Sequence, residues 1–220
     1  MPLPAEHMED FTKHEWCNTL LADPSITKRE TRTFLGLPES EDTSEAVSNT
    51  FFTQTLFTDG ALRAFCAMYR PNGSERKTGD ATNVASMREV FVGDTETQPP
   101  RTPTPQPPPQ TTPTAEVLLL ISLGTLVDGG THRLHGGVTA SLLDHAMGTL
   151  LSFYFANGSA TAELKVKYVK AVRTPCVLLC RARMESVQGR WIKTRGWLED
   201  GEGTVFAEGE GAFVLSKGKL

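Results

Sequence analysis

The chain has 220 residues, 22% of them charged and 39% hydrophobic, with a formal net charge of −4. That length suits one domain or two, and the acidic balance argues against a nucleic-acid backbone as the main partner. The average hides a division: residues 1–96 carry a net charge of −7 and residues 97–220 one of +3, with the second set of basic residues dispersed rather than clustered.

Four cysteines, Cys17, Cys66, Cys176 and Cys180, show no disulfide framework and no CxxC pair, so they read as small buried hydrophobes and no metal is expected. The opening MPLPAEHMEDF is acidic and lacks an apolar signal core, and the longest apolar run is far too short to span a bilayer. An intracellular, cytoplasmic protein with no membrane span is the expectation.

In chain order, Phe11, Trp16, Leu20 and Leu21 fall at roughly helical spacing within residues 8–22, and Asp23-Pro24 ends that helix. Residues 26–48 are polar and acidic, with Phe34, Leu35 and Leu37 as a packing hook. Residues 50–70 read as a second helix, or a helix pair broken at Gly60, and a short strand follows at Met87–Val92. Eight of the 14 prolines then crowd into residues 97–114, together with six threonines. Such a stretch cannot supply a hydrogen-bond ladder and reads as a disordered, partly polyproline-like insertion.

The pattern sharpens beyond it. Glu116–Leu126 is a strongly apolar strand, and residues 127–135 form a glycine-rich loop. A long helix runs from about Gly137 to Phe155, apolar nearly all round and therefore central and buried. Asn157-Gly158 ends it. In the strand Thr161–Val169, Leu164, Val166 and Tyr168 point one way and Glu163, Lys165 and Lys167 the other. Pro175 opens a second strand reaching Val187, Gln188-Gly189 turns into a third, and Asp200–Gly203 turns into a fourth. One strand, one buried helix and four strands make an α+β domain whose antiparallel sheet curls around the helix. The predicted organisation is an N-terminal helical extension (1–96), the Pro/Thr insertion (97–114) and the main domain (115–220).

Chemistry concentrates at Leu134-His135-Gly136-Gly137 and, further along the helix, at Asp144. N–H groups at a helix start lack intrahelical partners, and glycine lets a ligand oxygen approach them. They can hold an oxyanion, although a glycine pair is also what an ordinary tight turn requires. Asp144 is more informative, because a carboxylate in an apolar helix costs several kcal/mol unless it is hydrogen-bonded or solvated in a cavity. It could deprotonate water or attack directly. His135 adjoins the glycines and can either support the same carbonyl or shape the loop. His145 points about 100° from Asp144 and reads as an interface or structural residue, His132 as a surface loop residue, and Thr161, at the start of its strand, as a β-branched strand residue or as a hydroxyl that could hold the attacking water beside Asp144. The chain has no GxSxG elbow, no GxGxxG or phosphate loop, and no HxxxH ligand pair.

The run from Leu134 to Gly137, then Thr139-Ala140-Ser141-Leu142-Leu143-Asp144, and later Thr161 to Tyr168, resembles the hotdog-fold thioesterase superfamily, closest to PaaI-like and THEM-type acyl thioesterases. The resemblance covers about residues 116–215, and residues 1–96 resemble the N-terminal extension of fungal members. It implies a curled sheet around one long helix and an assembly of two or four copies. Sites would be shared across the dimer interface, with one chain's helix start facing the other's carboxylate. On that reading Gly136 or Gly137 donates to the oxyanion, His135 supports it, Asp144 is base or nucleophile, and Thr161 holds the water.

The implied substrate is an acyl thioester, carried by coenzyme A or by an acyl-carrier or polyketide-synthase partner of secondary metabolism, with no cofactor of the enzyme's own. Many relatives have a small polar residue where this chain has His145, and the Pro/Thr insertion is uncommon. Two alternatives remain: a hotdog dehydratase, although its DxxxxH spacing and HFPG loop are missing, and a non-catalytic acyl-binding or interaction protein.

Overall fold

A computed structural model describes residues 6–31, 49–71, 115–155 and 158–216. The hook at Phe34, Leu35 and Leu37, the strand at Met87–Val92, the insertion 97–114 and Asn157 lie outside the described residues. The elements are α1 (Glu9–Thr12), α2 (Glu15–Leu21), β1 (Lys28–Thr31), a π-helical turn (Phe51–Thr55), β2 (Leu62–Arg70) and β3 (Glu116–Leu123). After them come β4 (Asp128–Gly130), β5 (Arg133–Leu134), α3 (Gly136–Tyr154), β6 (Ser159–Tyr168), β7 (Cys176–Gln188), β8 (Trp191–Glu199) and β9 (Val205–Leu215).

Seven strands form one antiparallel sheet in the order β1-β2-β3-β7-β8-β9-β6. Helix α3 lies across its inner face. Leu142, Leu143, Ala146, Met147, Leu150 and Leu151 recur at helical spacing and are fully buried. They pack against Val117, Leu119 and Ile121 of β3, Leu178 and Cys180 of β7, Ile192 and Leu198 of β8, and Phe213 of β9. Each large side chain withdrawn from water contributes about 1.5–3 kcal/mol. The helix comes close because glycines floor the sheet: a Cβ at Gly211 would sit 2.7 Å from the Phe213 ring and 2.9 Å from Met147 Sδ. The single helix wrapped by a curled antiparallel sheet is the hotdog architecture implied by the resemblance.

The outer face of β2, β3 and β7 is covered as well. Phe11, Cys17 and Ile26 of the N-terminal region cluster with Ala64, Cys66, Met68, Leu118, Leu120 and Leu179. This double burial corrects the reading of residues 50–70. The second helix is only the π turn, and LRAFCAMYR is strand β2, paired with β3 from Leu62↔Leu123 to Arg70↔Glu116. A strand covered on both faces reads as a continuous apolar run, which periodicity cannot distinguish from a buried helix. The N-terminal region therefore supplies two strands, β1 and β2, as well as its two short helices.

A chain of alternating charge ties this outer layer together. Asp23 pairs with Arg70 at 2.8 Å, and Arg70 with Glu116 at 2.8 Å. Glu116 pairs with Arg181 and Arg183 at 3.0 Å each, and Arg181 donates to Glu199 at 2.9 Å. Glu116 is 2% exposed, so its three guanidinium partners are what make its burial tolerable. At the far end of the layer the Trp16 ring packs over Gly201, whose φ of +77° and lack of a Cβ make room for it.

Candidate active site

The segment read as a glycine-rich loop is a small hairpin, β4–β5, that delivers the chain into α3. It is pinned to the body by Leu134 N–H donating to Val172 O (3.1 Å) and His135 N–H donating to Val127 O (2.9 Å). Asp128 accepts from the Thr174 hydroxyl and from the His132 N–H, which holds the exposed His132 at a φ of +50°.

His135 is the N-cap of α3. Its Nδ1 accepts the Gly137 N–H at 2.9 Å, and its carbonyl accepts the Thr139 N–H at 3.0 Å. A Cβ on residue 137 would stand 3.0 Å from Nδ1, so glycine there lets the ring fold back over the helix start. Two consequences follow. The Gly137 N–H is already engaged, which narrows the two glycine donors expected from the sequence to one. Among the described residues, the Gly136 N–H donates no hydrogen bond. With Nδ1 accepting, the neutral imidazole carries its proton on Nε2, so exposed His135 offers a second donor beside Gly136.

Asp144 lies two turns further along, half-buried at the rim of the apolar face. The Thr161 hydroxyl donates to its Oδ1 at 2.8 Å. Strict alternation would turn Thr161 outward with Glu163, Lys165 and Lys167. The register shift in β6 prevents this: Thr161 pairs with inward-facing Phe213, whereas Glu163 pairs with Ala212. One extra residue, Ala162, reverses the facing of everything before it and aims Thr161 at the helix. Neither the bulge nor this contact is written in the apolar pattern.

Gly136 and Asp144 are eight residues apart on one helix, about 12 Å along its axis. A single copy therefore cannot bring both to the same carbonyl. Tyr168, placed by the alternation on one face with Leu164 and Val166, makes a contact that the alternation does not show: its hydroxyl donates to the Gly136 carbonyl at 2.9 Å. Beside it runs a groove of about 340 Å³ lined by Arg133, Gly136, Tyr168, Val169, Lys170 and Phe206 among others.

His145 turns away from all of this. Its ring stacks on Phe52 (centroids 4.0 Å apart, 15° between planes), sits near Phe65, and lies 3.4 Å from the Asn49 amide. Burial lowers its pKa to about 4, so it stays neutral. This is the structural alternative of the two read for it. Burial also pushes the Cys17 and Cys176 thiols up to about 12 and Cys66 to about 11, which makes them poor nucleophiles. No cluster of metal-ligating side chains is found among the described residues, and no described helix is long and apolar enough to cross a membrane.

The sequence model of the thioesterase superfamily matches residues 132–207, from the turn of the β4–β5 hairpin to the start of β9. No curated protein matches the sequence. Among solved structures, the chain is similar to a thioesterase superfamily protein at 31% identity, over 45% of this chain and 51% of that one, with a TM-score of 0.43. It is similar to a Bacillus halodurans protein solved with CoA at 29% identity, over 45% and 66%, with a TM-score of 0.42. Zebra fish Thioesterase Superfamily Member 2 matches at 19% identity, over 49% and 78%, with a TM-score of 0.42. The chain thus spans about half the length of the first of these proteins and just under two thirds of the second.

Proposed function

We propose that this chain, a member of the thioesterase superfamily by its residues 132–207, hydrolyses an acyl thioester to a carboxylic acid and a free thiol. The observation that carries this reading is the Thr161–Asp144 hydrogen bond: a carboxylate on an apolar helix, partly open to solvent, oriented by a hydroxyl and without a cationic partner among the described residues. Asp144 takes a proton from water as the water oxygen attacks the carbonyl carbon, and Thr161 holds the carboxylate and the water in line. Negative charge develops on the carbonyl oxygen, facing the Gly136 N–H and His135 Nε2–H. Donors fixed in advance at that position lower the barrier because they strengthen as the charge grows. The C–S bond then breaks and the sulfur leaves as thiolate, to be protonated from solvent.

The 12 Å separation along α3 supports a site shared by two copies, with the helix start of one meeting Asp144 of the other. A homodimer, or a tetramer built from it, is therefore the assembly we propose. Arg133 and Lys170 at the rim of the groove suit the phosphates of a pantetheine-bearing donor, whether coenzyme A or an acyl-carrier or polyketide-synthase partner. The burial and low basicity of His145 speak against a dehydratase, which would need a histidine facing the acyl chain beside the acid.

The test is a panel of acyl-CoA and acyl-pantetheine donors of varied chain length, followed as thiol release, with dimerisation checked by sedimentation. Turnover that vanishes in D144N supports the assignment. Full turnover in D144N refutes the role of Asp144. A wild-type protein that binds acyl thioesters without cleaving any would leave the acyl-binding reading in its place.

A further inference from the structure

The peptide unit joining Gly136 to Gly137 is held at both ends. Its carbonyl accepts the Tyr168 hydroxyl at 2.9 Å, and its N–H donates to His135 Nδ1 at 2.9 Å. We infer that Tyr168 is a positioning residue for the proposed hydrolysis, clamping this peptide so that the Gly136 N–H and His135 Nε2–H stay aimed at the carbonyl oxygen. The inference rests on the thioesterase reading above.

The need for a clamp follows from the sequence. Two successive glycines at a helix start have more backbone freedom than any other pair, and the N–H groups of a helix's first turn have no intrahelical partners to restrain them. A donor that wanders must be reordered at each turnover, and stabilisation of the oxyanion depends on donors that are already in place. Tyr168 supplies the restraint from a rigid strand. It lies on the inward-facing side of β6 with Leu164 and Val166, but beyond the point where the helix begins, so it has no core to fill. It remains 56% exposed, and its hydroxyl and ring edge lie 3.4–3.5 Å from where a Cβ of residue 136 would stand. An aromatic ring so open to water adds little to the core, and its defined contact is the hydroxyl on the Gly136 carbonyl.

The clamp also fixes the histidine. A Gly137 N–H held toward Nδ1 requires the tautomer with its proton on Nε2. If the peptide rotated, Nδ1 would lose its donor and the ring would be free to turn. Tyr168 thus reaches both proposed oxyanion donors through one peptide bond, without touching substrate itself.

The test is Y168F, which removes one oxygen and keeps the ring. The expected result is a fall in kcat of about tenfold with KM unchanged, because the restraint acts in the transition state rather than on substrate binding. The thermal midpoint should stay at the wild-type value, and the Gly137 amide should exchange with deuterium about tenfold faster when followed by NMR. A Y168F enzyme with wild-type kcat, or with unaltered exchange at Gly137, overturns the clamp. The exchange measurement needs no turnover. If the wild-type protein cleaves no thioester while Y168F still unlocks the Gly137 amide, the clamp survives and the thioesterase reading alone falls.

Discussion

On the inner side of β3, Val117, Leu119 and Ile121 meet helix α3. On its outer side, Leu118 and Leu120 meet Phe11 and Ile26. Both layers exclude water from similar apolar side chains, but they treat carboxylates differently. In the outer layer Asp10 pairs with Arg63 and Lys13, Asp23 with Arg70, and Glu116 with three arginines. Burial would raise the Asp10 carboxyl, but hydrogen bonds from Arg63, Ser122 and Lys13 together hold it well below the usual range. In the inner layer Asp144 is met by a hydroxyl alone among the described side chains. A carboxylate ringed by cations has its lone pairs taken up by the structure, whereas one met by a single neutral donor keeps lone pairs open toward a ligand. On the proposed reading, the outer layer is built to hold and the inner one to react.

The contrast can be broken most severely at Asp144. D144N keeps the shape and removes the proposed base, so kcat/KM for a cleaved thioester should drop by about 10²–10⁴-fold, with the thermal midpoint close to wild type; thiol release and calorimetry read the two quantities. The complementary cut is Phe11→Ala in the outer layer. It should cost about 3–5 kcal/mol of folding stability, measured by urea titration, while kcat per folded molecule stays unchanged.

His145 gives a gentler probe that depends on pH. Its pKa falls from 6.5 to about 4 on folding, so the unfolded chain takes up a proton that the folded one refuses. Its contribution is intact above about pH 6.5 and is lost as the pH falls toward 4, by about 3 kcal/mol across the window. Denaturant midpoints measured from pH 7 to 4 should show that slope, and H145F should flatten it. The smallest effect belongs to Thr161: T161V should lower kcat by about tenfold, in line with one hydrogen bond to a charged acceptor, and T161S should restore most of it.

The inner layer was the more legible one from sequence. Leu142 to Leu151 repeat at helical spacing around a single acid, which picks out both the buried helix and Asp144. Leu164 and Val166 alternate clearly with Glu163 and Lys165, so β6 is readable too. Thr161 was not readable from pattern, because one bulged residue at Ala162 reverses its facing and leaves no mark on the alternation. Its place at the start of the strand offered its hydroxyl as one reading, and only the family resemblance made that reading the favoured one. The outer layer hid β2 for a different reason: Ala64, Cys66 and Met68 are apolar toward the N-terminal helices, while Leu62, Phe65 and Ala67 are apolar toward α3, so neither strand nor helix periodicity survives. Tyr168 was assigned to the correct face but not to its partner, since a hydroxyl meeting a backbone carbonyl thirty-two residues away has no sequence signature.

The pairing of Arg70 with Glu116 has a topological consequence. Arg70 ends β2 and Glu116 begins β3, so the sequence between them starts and finishes at directly opposed positions of neighbouring strands. The entropy of closing such an excursion grows with the logarithm of its length, and doubling it costs only about 0.6 kcal/mol. The sheet thus provides a mount on which the proline- and threonine-rich stretch could lengthen, shorten or change composition over evolutionary time at little cost to the register of β2 on β3.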